Sequence, residues 1–99
     1  MMKHFLVEIT YTAEPDQMAA IRPEHRAYVK TGFDGGLLLF SGPRNPMTGG
    51  LVVARMKSRE DVERFFAKDP FQLNKLATYR FIEFDPVFFQ PFLEDWMKG

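Results

Sequence analysis

From Lys3 to Tyr11 the chain alternates, with Phe5, Val7, Ile9 and Tyr11 on one side and His4, Leu6, Glu8 and Thr10 on the other. A period of two over nine residues, rich in aromatic and β-branched types, specifies a strand. The spacing then turns helical. Met18, Ile21, His25, Tyr28 and Val29 recur at intervals near three, four and seven, which places them on one stripe of a helix. Pro23 cannot donate to the carbonyl of Ala19 and its ring crowds that turn. The main helix is therefore expected to start near Pro23, with residues 15–21 as a loop or short turn. Gly32, Gly35 and Gly36 supply its stop.

Short apolar runs follow, separated by turn chemistry. Leu37 to Ser41 reads as a second strand and Leu51 to Met56 as a third, with Gly42 to Gly50 between them as a turn. Ser58, with Asp61 three residues on, caps a helix that sets Val62, Phe65 and Phe66 on one face. Asp69-Pro70 opens another short helix to about Lys75. A fourth strand runs from Thr78 to Asp85, and an aromatic C-terminal tail occupies residues 88–99.

The order βαββαβ predicts one α+β domain over residues 1–99, a ferredoxin-like split-βαβ with a four-stranded antiparallel sheet. Two helices cover only one face of such a sheet. The other face is expected to carry Leu6, Leu51, Val53 and Phe81, too apolar to leave in water. A homodimer that stacks these sheet faces would bury them and enclose a cavity, and the tail aromatics are expected to pack on the neighbouring subunit.

Composition narrows the function. Thirteen basic side chains balance thirteen acidic ones without a block of like charge, which argues against binding nucleic acid or an anionic membrane through bulk electrostatics. With no cysteine there is no disulfide or thiolate nucleophile. No apolar run reaches eighteen residues and a strand pattern begins at Lys3, so a cytoplasmic protein is expected. Phosphate loops and dinucleotide fingerprints are missing, and His4 and His25 lack the spacing of a helical metal pair. Neither a metal nor a cofactor is expected.

Two residues stand out as chemistry. His25, near the start of the helix expected at Pro23, would lie at the positive end of the helix dipole, which favours a neutral ring able to accept a proton. The same residue also fits a packed position between Ile21 and Tyr28. Asp69 before Pro70 is a good helix cap, and equally a carboxylate able to orient a histidine. Arg22, Arg55, Arg80, Glu8 and Glu83 lie in or beside strands, where a guanidinium facing a cavity would suit an acidic ligand. Glu8 and Arg55 have apolar neighbours on their strand face and are the better candidates. Ser41-Gly42-Pro43 offers backbone amides to an anionic oxygen, or simply makes a turn.

Arg22-Pro23-Glu24-His25, Gly36-Leu37-Leu38, Ser41-Gly42-Pro43 and Phe66-Ala67-Lys68-Asp69-Pro70-Phe71, in this order, resemble the YciI-like (YCII-related) family. Ser58 to Val62 and the closing Phe89-Gln90-Pro91-Phe92 extend the resemblance over most of the chain. The aromatic tail and the Arg44 to Gly50 loop depart from the family pattern. The resemblance implies a dimeric α+β barrel and a His–Asp pair, here His25 and Asp69, at a pocket near the Gly-Pro loop. The chain is accordingly expected to be a cofactor-independent enzyme in which the pair performs acid/base elimination or isomerisation on a small cyclic or acidic substrate. Ser41, Gly42, Pro43, Arg44, Arg55 and Glu8 would contact that substrate. The alternatives are a non-catalytic small-ligand-binding or accessory dimer and, more remotely, a cofactor-free oxygenase.

Overall fold

The computed structural model describes residues 1–99. Its elements are β1 (Lys3–Tyr11), α1 (Pro15–Asp34), β2 (Leu38–Pro43), β3 (Gly49–Met56), α2 (Arg59–Ala67), α3 (Pro70–Leu73) and β4 (Ala77–Phe84). A turn of 3-10 helix (Pro91–Leu93) and a short α4 (Glu94–Lys98) follow. The strands form one antiparallel sheet in the order β2-β3-β1-β4, the ferredoxin-like arrangement. β2 and β3 each reach further toward their shared turn than the apolar runs alone mark. The loop at the hairpin tip is Arg44 to Thr48.

The alternation of β1 sorts the two faces. Phe5, Val7 and Ile9 are buried under the helices, and opposite them in register lie Ala54 and Val52 of β3 and Phe81 and Tyr79 of β4. Met18 and Val29 of α1, Val62 and Phe66 of α2, and Phe71 of α3 close this core. Phe81 is thus on the helical face, 6.1 Å from the Phe66 ring, and not on the open face. The residue paired with Leu6 on the open face is Ile82. The expected phase of β4 was one residue out, and a slip of one reverses every side chain in a strand.

α1 is one helix of 20 residues that passes through Pro23. It starts at Pro15, where proline is preorganised for the first turn, and the Gln17 side chain accepts the Glu14 backbone N–H at 3.1 Å. Pro23 is tolerated because it and Ala19 both lie on the exposed side, where water can solvate the freed carbonyl. The helix packs closely at its far end. A methyl on Gly32 would meet the Leu38 side chain and the Phe65 ring inside 3 Å. At the start of β3, a side chain on Gly49 would collide with the Ile9 carbonyl, so glycine permits β1 and β3 to pair there.

The tail packs on its own chain. Arg55 donates from Nε to the Gly36 carbonyl at 2.9 Å and from Nη1 to the Trp96 carbonyl at 2.8 Å, with its guanidinium 4.9 Å from the Trp96 ring. Trp96 also covers His4, 5.5 Å between ring centroids. Burial lowers the His4 pKa, and Arg55 adds to the effect. Phe88 and Phe92 remain exposed. No helix is long and apolar enough to cross a membrane.

Candidate active site

His25 and Asp69 meet. The His25 Nδ1 lies 2.7 Å from the Asp69 Oδ1, across 44 residues of sequence. His25 sits in the middle of α1, so the helix dipole acts weakly on it, and the expectation of a ring at the helix N-terminus is corrected. What orients the ring is its surroundings. It stacks on Phe71 with centroids 4.0 Å apart and planes within 11°.

Asp69 is fully buried and its oxygens are occupied. Oδ1 accepts from the Phe71 backbone N–H at 3.1 Å as well as facing His25, and Oδ2 accepts from the Tyr79 hydroxyl at 2.6 Å. The helix cap and the histidine partner are therefore one carboxylate in two roles. Ser58 caps α2 in the ordinary way, accepting from the Asp61 N–H at 3.1 Å, and α2 ends just before Asp69. Burial first, then the hydrogen bond to Asp69 and its charge, hold the Tyr79 hydroxyl far above the ordinary tyrosine range. Burial and the Asp69 charge also raise Tyr28, whose hydroxyl donates to the Phe65 carbonyl at 2.6 Å.

With the carboxylate accepting from Nδ1–H, the neutral ring carries its lone pair on Nε2. That nitrogen has no protein partner and is not sealed in the core. His25 borders a half-open cleft of about 480 Å³ between α1 and the β2–β3 hairpin. The volume is that of a site for a small molecule. Ser41, Gly42 and Pro43 line it, with Tyr11, Phe71 and Met47 among the other walls. Ser41 pairs with Val52 in register, on the helical face of the sheet.

The remaining sequence candidates lie elsewhere. Arg44 is exposed at the hairpin tip and is outside the cleft lining. Arg55 is committed to the tail, and Glu8 lies on the open sheet face, 4.0 Å from Arg80 across the strands. Glu83 lies near Lys3, at 3.8 Å. Of Arg22, Arg55, Arg80, Glu8 and Glu83, only Arg22 reaches the cleft, and it does so from α1, not from a strand. Sequence reasoning missed Tyr79 as a partner of Asp69. Its signal was present, because an inward tyrosine needs a hydrogen-bond acceptor, but the phase error in β4 hid it. Arg26, one residue beyond the apolar stripe, was also missed.

A family model for the YCII-related domain matches residues 2–85. No curated protein matches the chain by sequence. Among solved structures, the chain is similar to 5-chloro-2-hydroxyhydroquinone dehydrochlorinase from Burkholderia phenoliruptrix AC1100, in complex with 2,5-dihydroxybenzoquinone. The TM-score is 0.66 at 20% identity, covering 82% of this chain and 90% of that one. It is also similar to SnoaB, a cofactor-independent oxygenase from Streptomyces nogalater, with a TM-score of 0.50 at 14% identity, covering 91% of this chain and 97% of that one. At these identities the likeness establishes the fold and leaves the reaction to the site.

Proposed function

The chain belongs to the YCII-related domain family, and from that premise we propose that it is a cofactor-independent enzyme in which His25 moves a proton on a small cyclic or acidic substrate. The observation that carries this reading is the 2.7 Å contact between His25 Nδ1 and the buried Asp69 carboxylate, which leaves Nε2 open at the cleft. Nε2 takes a proton from the substrate, Asp69 stabilises the imidazolium that results, and the proton returns to a different atom or to the leaving group. The outcome is isomerisation in the first case and elimination in the second. Ser41 and the Gly42-Pro43 segment form the opposite wall. The dehydrochlorinase acts, by its name, on a chlorinated hydroxyhydroquinone, and a similar elimination lies within the reach of this pair.

Two substitutions test the reading. Chloride release from 5-chloro-2-hydroxyhydroquinone and deuterium uptake from solvent into small cyclic acids and ketones are assayed in the wild type, His25→Gln and Asp69→Asn. His25→Gln is expected to lose about 10²- to 10⁴-fold in rate, the usual worth of a general acid or base. A folded variant of either kind with full activity removes the mechanism and leaves a ligand-binding or accessory role. Long-range ¹H–¹⁵N spectra give a substrate-free check, since His25 should carry its proton on Nδ1.

We also propose that two copies pair through their open sheet faces. Phe40 and Leu51 are exposed there: the tail covers His4 and Arg55, and its Phe88, Phe89, Leu93 and Met97 leave an open groove against Phe40 and Val53.

A further inference from the structure

The charge around the cleft is uneven. α1 presents Arg22, His25, Arg26 and Lys30 to it. Lys30 is neutralised, since its Nζ donates to both Asp34 oxygens at 3.0 and 3.1 Å. Asp69 is taken up by His25, Phe71 and Tyr79. Arg22 and Arg26 have no such partner. Neither forms an ion pair, and the one side-chain hydrogen-bond partner of Arg22 is the Met47 sulfur at 3.9 Å, a weak acceptor.

The two arginines lie four positions apart, one helical turn along α1. Arg22 is also partly buried, so it has lost some water without gaining a carboxylate. Both flank His25 in sequence, three residues before it and one after, on the helix wall of the same cleft. The other walls include Tyr11 and Phe33, partly exposed aromatic surfaces suited to a ring. Unspent forked donors beside aromatic walls are what an acid-bearing ring requires.

We propose that Arg22 and Arg26 form an anion subsite that holds the carboxylate of a small planar substrate, with its ring against the aromatic walls and its reacting atom toward His25 Nε2. The Arg22–Met47 contact opens as the ligand enters, so the hairpin tip yields a donor to it. The orientation toward His25 rests on the acid/base reading above, whereas the anion subsite itself does not. When His25 removes a proton, the bond's electron pair stays on the substrate, and the same cations stabilise that negative charge.

The test uses the full chain and two near-isosteric probes, salicylate and the neutral salicylamide, followed by ¹H–¹⁵N spectra. Salicylate should shift the Phe71 amide and the His25 ring signals, bind more weakly as sodium chloride is added, and bind about tenfold more weakly or worse in Arg22→Gln and Arg26→Gln. Salicylamide should bind the wild type and both variants alike, and Arg64→Gln, an exposed cation on α2, should leave salicylate binding unchanged. Equal affinity for the acid and the amide overturns the subsite, as does salicylate binding that neither arginine variant weakens. Absence of any shift at about 10 mM salicylate, a concentration that reports millimolar dissociation constants, overturns it as well. If salicylate binding depends on the arginines while His25→Gln retains full turnover, the subsite stands and the acid/base reading falls.

Discussion

Asp69 illustrates how one buried carboxylate is made tolerable. Three donors converge on it from different segments: the imidazole of α1, the backbone N–H of Phe71 and the hydroxyl of Tyr79. A buried charge with fewer partners would be strongly destabilising. Tyr79→Phe removes one donor, made to a charged acceptor, and is expected to cost about 1.5–3 kcal/mol in urea unfolding near neutral pH, with the His25 contact kept. The pH dependence follows from the sign of the shift. Folded Tyr79 keeps its proton at a pH where the unfolded residue, with a pKa of about 10, loses it. Its stabilising contribution is complete below about pH 10 and is lost progressively as pH rises above that value. The alkaline loss of stability should therefore be shallower in Tyr79→Phe than in the wild type.

α1 is the element that joins fold and site. Its buried stripe, Met18 and Val29, packs on the sheet, while the neighbouring positions turn His25 and the arginines to the cleft. An interior proline costs a helix one hydrogen bond and some steric crowding. Here the damage falls on the solvated side, so the helix continues at reduced stability. Pro23→Ala should restore the bond to the Ala19 carbonyl and raise stability by about 1–3 kcal/mol, measured by urea or thermal unfolding. A fall in stability would mean that the proline sets the path of the helix against the sheet. The short α3 owes its existence to its ends more than to its length, since Asp69 caps it and Pro70 fills its first position. That economy is what brings Phe71 under the His25 ring.

For the molecule as a whole, one sheet face is covered by helices and the other only partly by the tail. The tail packs in part on its own chain, through the Arg55 and Trp96 contacts, while its Phe88 and Phe92 stay exposed. Phe40 and Leu51 still lie in the open. Sedimentation equilibrium should give twice the chain mass for the wild type. Leu51→Glu, which places a charge in the middle of the proposed interface, should give a monomer with an unchanged circular dichroism spectrum. A monomeric wild type at micromolar concentration would remove the dimer.

Local regularities could be read directly from the chain. β1 and its two faces, the caps at Ser58 and Asp69, and the βαββαβ order all depend on neighbours within about four residues, the range over which periodicity and capping act. The motif with His25 and the motif with Asp69 were both legible, as was the Ser41-Gly42-Pro43 segment that now borders the cleft. Other features depended on how the layers pack. Whether Pro23 breaks a helix is decided by which side of that helix meets water, and β4 could be phased only against its partners in the sheet. Arg55 looked free to bind a ligand until the tail folded over it. Contact between His25 and Asp69, 44 residues apart, exists because the sheet fixes α1 beside α3, and no spacing along a chain encodes a distance set by its packing.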